Sequence, residues 1–247
     1  MSGRRLEGKA ALVTGASRGI GKGIASAFAR EGASIFLCAR GEGALRETAR
    51  EIESSSSGGA EVVYRVADVS VPEDAERLVA SALERFPGLG ILVNNASILG
   101  RRAPIIDLDV ETWDEVLRVN TSSLFYVTRP LLAHVVSRGD GSIVNVSSSV
   151  GRKGKPQWGA YAVSKFGLEG FTQVLAAELE PSGIRVNSVN PGATRTEMRA
   201  GAYPQEDPRS LPTPEEISEV FVYLASDESR AITGQSFEAR DFMKANR

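Results

Sequence analysis

The sequence predicts an α/β protein: one domain built on a three-layer, doubly wound parallel sheet with helices on both faces. Three observations carry this. Short apolar runs alternate with amphipathic stretches along the chain, the pattern of strands joined by helical crossovers. The first run passes into the first helix through a glycine-rich loop, Thr14 to Gly21. No composition break or linker divides the 247 residues, a length that suits one ordinary domain.

The elements follow in order. Residues 9–14 (KAALVT) form a short continuous apolar run, as expected of a strand buried on both faces. Ile20, Ile24, Ala27 and Phe28 then recur at helical spacing. Residues 34–39 are a second strand, residues 43–53 a helix, SSSSGG a surface loop, and residues 61–67 a third strand. Pro72 stands where a helix begins, and residues 74–86 continue it. Residues 89–93 are a fourth strand. Residues 110–136 read as one long helix, with Pro130 expected to kink or break it. Strands at 142–147 and 184–190 flank a helix at 158–180, which Pro181 and Gly183 close. A helix at 215–225 and a short strand at 235–238 complete the chain.

Composition excludes several function classes. Hydrophobic residues make up 42% and charged residues 24%, a soluble globular balance. A single Cys cannot form an internal disulfide, which points to a reducing compartment. One His and one Cys leave no basis for a metal site or a Cys/His nucleophile pair. His134, the lone histidine, has no evident acid–base partner. A net charge of −2 without a Lys/Arg block gives no footprint for nucleic acid. No apolar run approaches the ~18 residues of a membrane span, and MSGRRLEGKA lacks a signal-peptide core. The expectation is a cytoplasmic protein. The 25 glycines exceed the ~7% average, so the backbone somewhere needs unusual shapes or close approach.

Gly15, Gly19 and Gly21 give that excess an address. A strand-to-helix turn rich in glycine lets the backbone approach a pyrophosphate and aims helix N–H groups at it. The plain alternative is a tight turn with close helix–strand packing. Five residues separate Gly15 from Gly21, and Gly23 follows Lys22; this is neither GxGxxG nor a phosphate-binding P-loop, which disfavours a nucleotidase. The second strand ends Cys38-Ala39-Arg40 without a carboxylate. An acid there would favour a free ribose 2′-OH, and an Arg favours a 2′-phosphate. Arg40, with Arg18 in the loop, therefore predicts NADP(H) over NAD(H), against the alternative that both arginines are solvated surface charges.

Tyr161 and Lys165 stand four residues apart, on one face of a helix. A nearby cation stabilises phenolate and lowers the tyrosine pKa from about 10. Such a pair can pass a proton to or from a carbonyl or alcohol oxygen. Alone the spacing is weak, since surface pairs share it. TGASRGIG, NNA at Asn94–Ala96, the lone Asn120, a serine run before YAVSK, and PGATRT at 191–196 supply the company. In that order the set resembles the classical short-chain dehydrogenases/reductases, a Rossmann-fold family, over residues 6–234.

That resemblance implies roles. Tyr161 would be the general acid in reduction and general base in oxidation. Lys165 would lower the Tyr161 pKa and hold the nicotinamide ribose. Asn120 would hold a relay water by fixing a local helix irregularity. Ser148, thirteen residues before the tyrosine, would bind the substrate oxygen rather than Ser147 or Ser149. Gly15, Ser17, Arg18, Gly19, Ile20, Gly21 and Arg40 would bind the phosphate end of the cofactor. Asp68 and Val69 would contact adenine, although Asp68 also suits a turn cap ahead of Ser70 and Pro72. Asn94 and Ala96 would line the cofactor, with Asn95 supporting neighbouring strands. Pro191, Gly192, Thr194 and Thr196 would hold the carboxamide. Homo-oligomers, tetramers or dimers built from the two long helices, are implied too.

The departures concern the substrate. Ser97 replaces the glycine of the usual NNAG. The segment within about 197–213, which would cover the substrate, is short. The C-terminus reads ITGQSFEARDF without the usual DGG. The expected activity is NADP(H)-dependent hydride transfer on a carbonyl or secondary alcohol. A 3-oxoacyl-[acyl-carrier-protein] reductase is the alternative, weakened by Ser182 where carrier-docking relatives carry a base, although Arg138 remains. A non-catalytic NADP(H)-sensing regulator is the alternative of another class; the complete Ser148, Tyr161 and Lys165 set argues against it.

Overall fold

The computed structural model describes residues 4–56 and 60–245. Its strands are β1 (Ala10–Thr14), β2 (Ser34–Ala39), β3 (Val62–Val66), β4 (Leu89–Asn94), β5 (Gly141–Val146), β6 (Ile184–Asn190) and β7 (Ser236–Glu238). They form one sheet in the order β3-β2-β1-β4-β5-β6-β7, with every neighbouring pair parallel. This is the doubly wound parallel sheet the sequence predicts. The order reverses between β1 and β4, and such a switch opens a crevice beyond the carboxyl ends of the strands. Of the expected SSSSGG loop, Ser57, Gly58 and Gly59 lie outside the described residues.

Strand alternation sorts the two cores. Ala11, Val13, Ile35, Leu37, Ile91 and Val93 pack against α1 (Gly19–Arg30), α2 (Glu42–Ser55) and α8 (Glu219–Ala225). Leu12, Phe36, Cys38, Leu92 and Ile143 point the other way, onto α3 (Pro72–Arg85), α5 (Ser123–Arg138) and α6 (Gly159–Leu179). Successive side chains of a strand face opposite layers, and both layers here are apolar, so the runs read as continuous rather than alternating. Pro72 occupies the first helical position of α3, where its missing N–H costs nothing. Cys38 is buried, and burial pushes its thiol up to about 12. No helix among the described residues is long and apolar enough to cross a membrane.

Three differences from the sequence reading matter. The expected helix at 110–136 divides into α4 (Val110–Leu117), a π-helical turn at Arg118–Ser122, and α5. The irregularity thus falls at Asn120, and α5 runs on through Pro130. The helix expected at 215–225 becomes regular only at Glu219, because its first turn is wound tightly. Ser218 N bonds Glu215 O at 3.2 Å and Phe221 N bonds Ser218 O at 3.0 Å. Two short helices were not anticipated. α7 (Glu197–Ala202) falls in the expected substrate cover, and α9 (Ala239–Ala245) follows β7.

Candidate active site

The crevice beyond β1 and β4 is built first by the glycine loop. Gly15 and Gly19 have φ of +63° and +57°, the left-handed region that glycine enters without steric cost. A Cβ on Gly21 would lie 2.4 Å from Gly15 O and 2.5 Å from Asn95 Nδ2, so only glycine lets the helix start this close to the strand. Asn95 Nδ2 donates to Thr14 O (2.9 Å) and Gly15 O (3.0 Å). Thr14 Oγ1 accepts from Asn95 N (3.0 Å) and Ala96 N (3.1 Å). These bonds fasten the loop to the end of β4. The first turn of α1 has no side-chain cap and no acidic residue, so its N–H groups suit an anionic ligand.

Two expected anion binders sit beside this turn, each with a carboxylate partner. Arg18 is exposed and pairs with Glu197 at the start of α7. Arg40 is 4.0 Å from Asp68. Asp68 serves as the turn cap: its Oδ1 accepts from Ser70 N (2.9 Å) and Ser70 Oγ (2.7 Å). Val69 is buried beside it. Ser17 offers its carbonyl to Thr48 Oγ1 at 2.9 Å; Ile20 packs at the edge of the core.

Within Asn94–Ala96 the Asn95 amide reaches the neighbouring strand β1 at Thr14, as expected, whereas the Asn94 side chain, expected to line the cofactor, is also tied within the sheet. Asn94 is buried, and its Nδ2 donates to Asn145 Oδ1 (2.9 Å) and Thr128 Oγ1 (3.2 Å). It ties β4 to β5 and α5, while Asn95 shapes the glycine loop. The reason is the β4 register: Asn94 lies opposite Asn145, and an unpaired buried amide would be costly.

A second group of side chains gathers on α6. Tyr161, Lys165 and Glu169 follow at four-residue spacing on one face. Lys165 is 2% exposed, donates to Val146 O at 2.8 Å, and places its Nζ 5.6 Å from the Tyr161 ring centroid. Burial pushes the Lys165 ammonium down to about 8, and the Glu169 charge pulls back upward. Burial pushes the Tyr161 phenol up to about 12, with Ser148 and Ser97 acting against it. The sequence reading expected Lys165 to lower the phenol. Among the protein's own groups, loss of hydration outweighs the Ser148 and Ser97 hydroxyls, and Lys165 is not among the groups that lower the phenol. Ser97 Oγ is buried near the phenol and makes no well-aligned hydrogen bond.

Ser148 caps the turn Ser149–Gly151, its Oγ accepting from Val150 N at 3.4 Å. Gly151 keeps that turn against α6: a Cβ there would sit 2.9 Å from the Lys165 backbone. Asn120 anchors the π turn. Its Nδ2 donates to Ile98 O (2.8 Å) and Ser164 Oγ (3.1 Å), and its Oδ1 accepts from Ile98 N (2.8 Å). The segment after β4 is thereby locked to the helix that carries Tyr161. His134 lies on α5, fourteen residues and so about 20 Å along the helix from Asn120.

Residues 191–196 close the crevice on the β6 side. Gly192 N bonds Asn190 Oδ1 at 3.0 Å, and Thr194 Oγ1 donates to Pro191 O at 3.2 Å. Thr196 caps α7 by accepting from Arg199 N at 3.1 Å. Arg240 of α9 donates to Ala193 O at 2.5 Å, so the atypical C-terminus supports this segment.

Sequence reasoning missed Glu169 and the lid cluster. Glu169 is buried and accepts from Ser147, from Ser188 at 2.7 Å and from Ser236 at 3.4 Å; Arg152 is 3.6 Å away. It ties α6 to the ends of β5, β6 and β7. Its spacing from Lys165 was the available signal. The lid cluster joins Trp158 and Tyr161 (ring centroids 5.7 Å apart) to Tyr203 (6.0 Å from Trp158). Tyr203 comes from a segment distant from Trp158 and Tyr161, so no local pattern announces the cluster.

The site has the parts of a dinucleotide-dependent oxidoreductase, and the comparisons agree. The family model for short chain dehydrogenases matches residues 9–207. The oxidoreductase YciK of Escherichia coli K12 is 40% identical over 95% of this chain and 93% of its own. A 3-oxoacyl-[acyl-carrier-protein] reductase FabG of Thermotoga maritima is 37% identical over 94% of this chain and 96% of its own. A solved short chain dehydrogenase from Escherichia coli CFT073, in complex with NADPH, superposes with a TM-score of 0.92 at 40% identity. It covers 97% of this chain and 100% of that one. The chain belongs to the short-chain dehydrogenase family.

Proposed function

We propose that the protein is an NADP(H)-dependent reductase or dehydrogenase acting on a carbonyl or secondary alcohol, as one domain with its substrate cover within 197–213. The observation that carries this is the convergence of Tyr161, Ser148 and the buried Lys165 next to an uncapped, carboxylate-free helix start. The bound cofactor supplies or accepts a hydride. The chain's own residues do the rest.

Gly15, Ser17, Gly19, Ile20 and Gly21 present backbone and α1 N–H groups to the pyrophosphate. Arg18 and Arg40 bind the 2′-phosphate, exchanging Glu197 and Asp68 for it. Asp68 and Val69 flank the adenine. Asn94 supports and Ala96 lines the middle of the cleft. Pro191, Gly192, Thr194 and Thr196 meet the carboxamide. Lys165, with one of three donors used on Val146 O, offers the others to the ribose. Ser148 donates to the substrate oxygen and stabilises charge developing there. Tyr161, a phenol that is protonated near neutrality and that burial raises further, to about 12, delivers the proton in reduction. Asn120 keeps the π turn open for a relay water.

NADP(H) complexes of similar structures support the cofactor choice. Exposed Phe125 and Val136 on α5, with Val163, Phe166 and Val174 on α6, support a homo-oligomer, a tetramer or dimer built on these helices. A reducing cytoplasm suits the single buried cysteine. Carrier-linked 3-oxoacyl reduction is the second reading, favoured by the FabG relatives. A screen of NADPH and NADH oxidation over ketones, aldehydes, quinones and acetoacetyl-carrier tests all of this. The expected result is NADPH-preferred turnover of at least one small carbonyl. Turnover confined to acetoacetyl-carrier moves the substrate to the second reading. No turnover of any carbonyl, with NADPH bound, would favour a sensor.

A further inference from the structure

Three cations gather around Tyr203 and Trp158, beside Tyr161. Arg102 follows β4, Lys155 precedes α6, and Arg199 stands on α7. All three lie on the Tyr203 ring, with centroid distances of 5.4 Å, 5.0 Å and 3.7 Å. Arg102 and Lys155 also face the Trp158 ring, at 4.9 Å and 5.6 Å. Trp158 packs on Tyr161 itself. The cluster is therefore one ring removed from the proposed proton donor.

Charge here is unbalanced. Glu206 takes Arg199 in a fork of 2.6 Å and 2.7 Å. Among the described residues, no carboxylate forms an ion pair with Arg102 or Lys155; Lys155 Nζ donates to the Tyr203 hydroxyl oxygen at 2.6 Å. Arg102 donates through Nη1 to Ala202 O, yet its Nε is buried without a partner. A solvated surface arginine keeps Nε in water. This one is held in place, because the neighbouring Ala103 pairs with Trp158 as a single parallel bridge. Burial pushes the Tyr203 phenol up, but the Lys155 hydrogen bond and the surrounding cations outweigh it and hold the phenol below the ordinary tyrosine value. That is the mark of a positive field at the site.

We infer that Arg102 and Lys155 form an anion-binding subsite of the substrate pocket, so that the preferred substrates carry a carboxylate or phosphate beyond the reacting carbonyl. The planar guanidinium offers a fork to either group. Trp158, buried between the cations and Tyr161, links the anion subsite to the reacting phenol. The inference rests on the reductase reading for the word substrate, but its test reads binding alone.

Benzoate, phenyl phosphate and benzamide are titrated by calorimetry into the full chain with excess NADPH. At least one anion is expected to bind ten-fold or more tightly than benzamide, and the arm that does identifies carboxylate or phosphate. Arg102→Met should bring that ratio to near one. Lys155→Met, at an exposed position, should lower it several-fold without relying on the behaviour of Arg102→Met. Equal affinities in the wild type, no binding of either anion, or a ratio unchanged in both variants would overturn the subsite. Kinetics of 4-carboxybenzaldehyde against benzaldehyde separate the two readings. Anion preference in binding without turnover of either removes only the reductase assignment, whereas turnover without preference in binding removes only the subsite.

Discussion

The cofactor side and the substrate side of the crevice are held together by different means. Around Gly15 and Gly21 the determinants centre on the backbone: positive φ, a Cβ-free contact, and main-chain groups held by the Thr14 hydroxyl and the Asn95 amide. Around Trp158 and Tyr203 they are side chains from three segments, packed rings and cations. Backbone constraints admit few residue types, so the first side is both legible and intolerant. Stacked side chains admit many solutions, so the second side can vary without losing the fold.

The sharpest way to break this contrast is Gly21→Ala. Its methyl would meet Gly15 O and Asn95 Nδ2 inside normal contact. The expected outcome is a loss of about 1–3 kcal/mol of stability and a ten-fold or greater rise in the NADPH Kd, read by thermal melts and fluorescence titration. A neutral result would mean that the loop is more forgiving than its contacts suggest.

The α6 face allows a test of electrostatics. The Lys165 ammonium sits at about 8, below its ordinary value, with Glu169 pulling upward. Turnover that needs the cation is present below that value and lost as pH rises through it. Glu169→Gln removes the supporting charge, so the alkaline limb of kcat/KM should move to lower pH, by up to about one unit. An unmoved limb would reduce Glu169 to a purely structural tie. Stability follows the same shift. Between about 8 and 10.5 the unfolded chain holds the Lys165 proton and the folded chain does not, so stability rises with pH across that window. At pH 7, below it, the buried charge costs stability. Lys165→Met should therefore melt no lower than wild type while losing turnover.

The smallest effect belongs to the rim of the cofactor side. Arg40 is more than half exposed and only 4.0 Å from Asp68, a solvent-screened pair worth little to the fold. Arg40→Ser should leave the melting temperature unchanged and narrow the NADPH-over-NADH preference about ten-fold. A preference that survives would move the burden to Arg18.

Legibility follows the same divide. The central strands β1, β2, β4 and β5 were readable because a strand buried on both faces must be an apolar run, while the edge strands β3 and β7 are only partly buried. The glycine loop was readable as a strand-to-helix turn, the Tyr161–Lys165 pair gained weight only from the accompanying motifs, and Ser148 was implied by the family resemblance. The π turn was not readable from periodicity, because a single inserted residue leaves the apolar stripe on either side intact. It was implied only by the family role of Asn120, while Pro130 drew the expected break away. α7 and α9 are too short to show a period. Glu169 looked like any helix-surface acid, since burial by Ser147 just after β5 and Ser188 on β6 is a long-range fact. The Tyr161 shift was misjudged because spacing shows the cation and hides the desolvation.

The central claim, that Tyr161 is the proton donor of a carbonyl reductase, is tested most directly by Tyr161→Phe. NADPH oxidation and NADPH affinity are measured together, with a carbonyl that the wild type reduces. The expected result is turnover down at least a thousand-fold with the Kd for NADPH within about three-fold of wild type, the pattern of an interaction made only in the transition state. Turnover within ten-fold of wild type would contradict it.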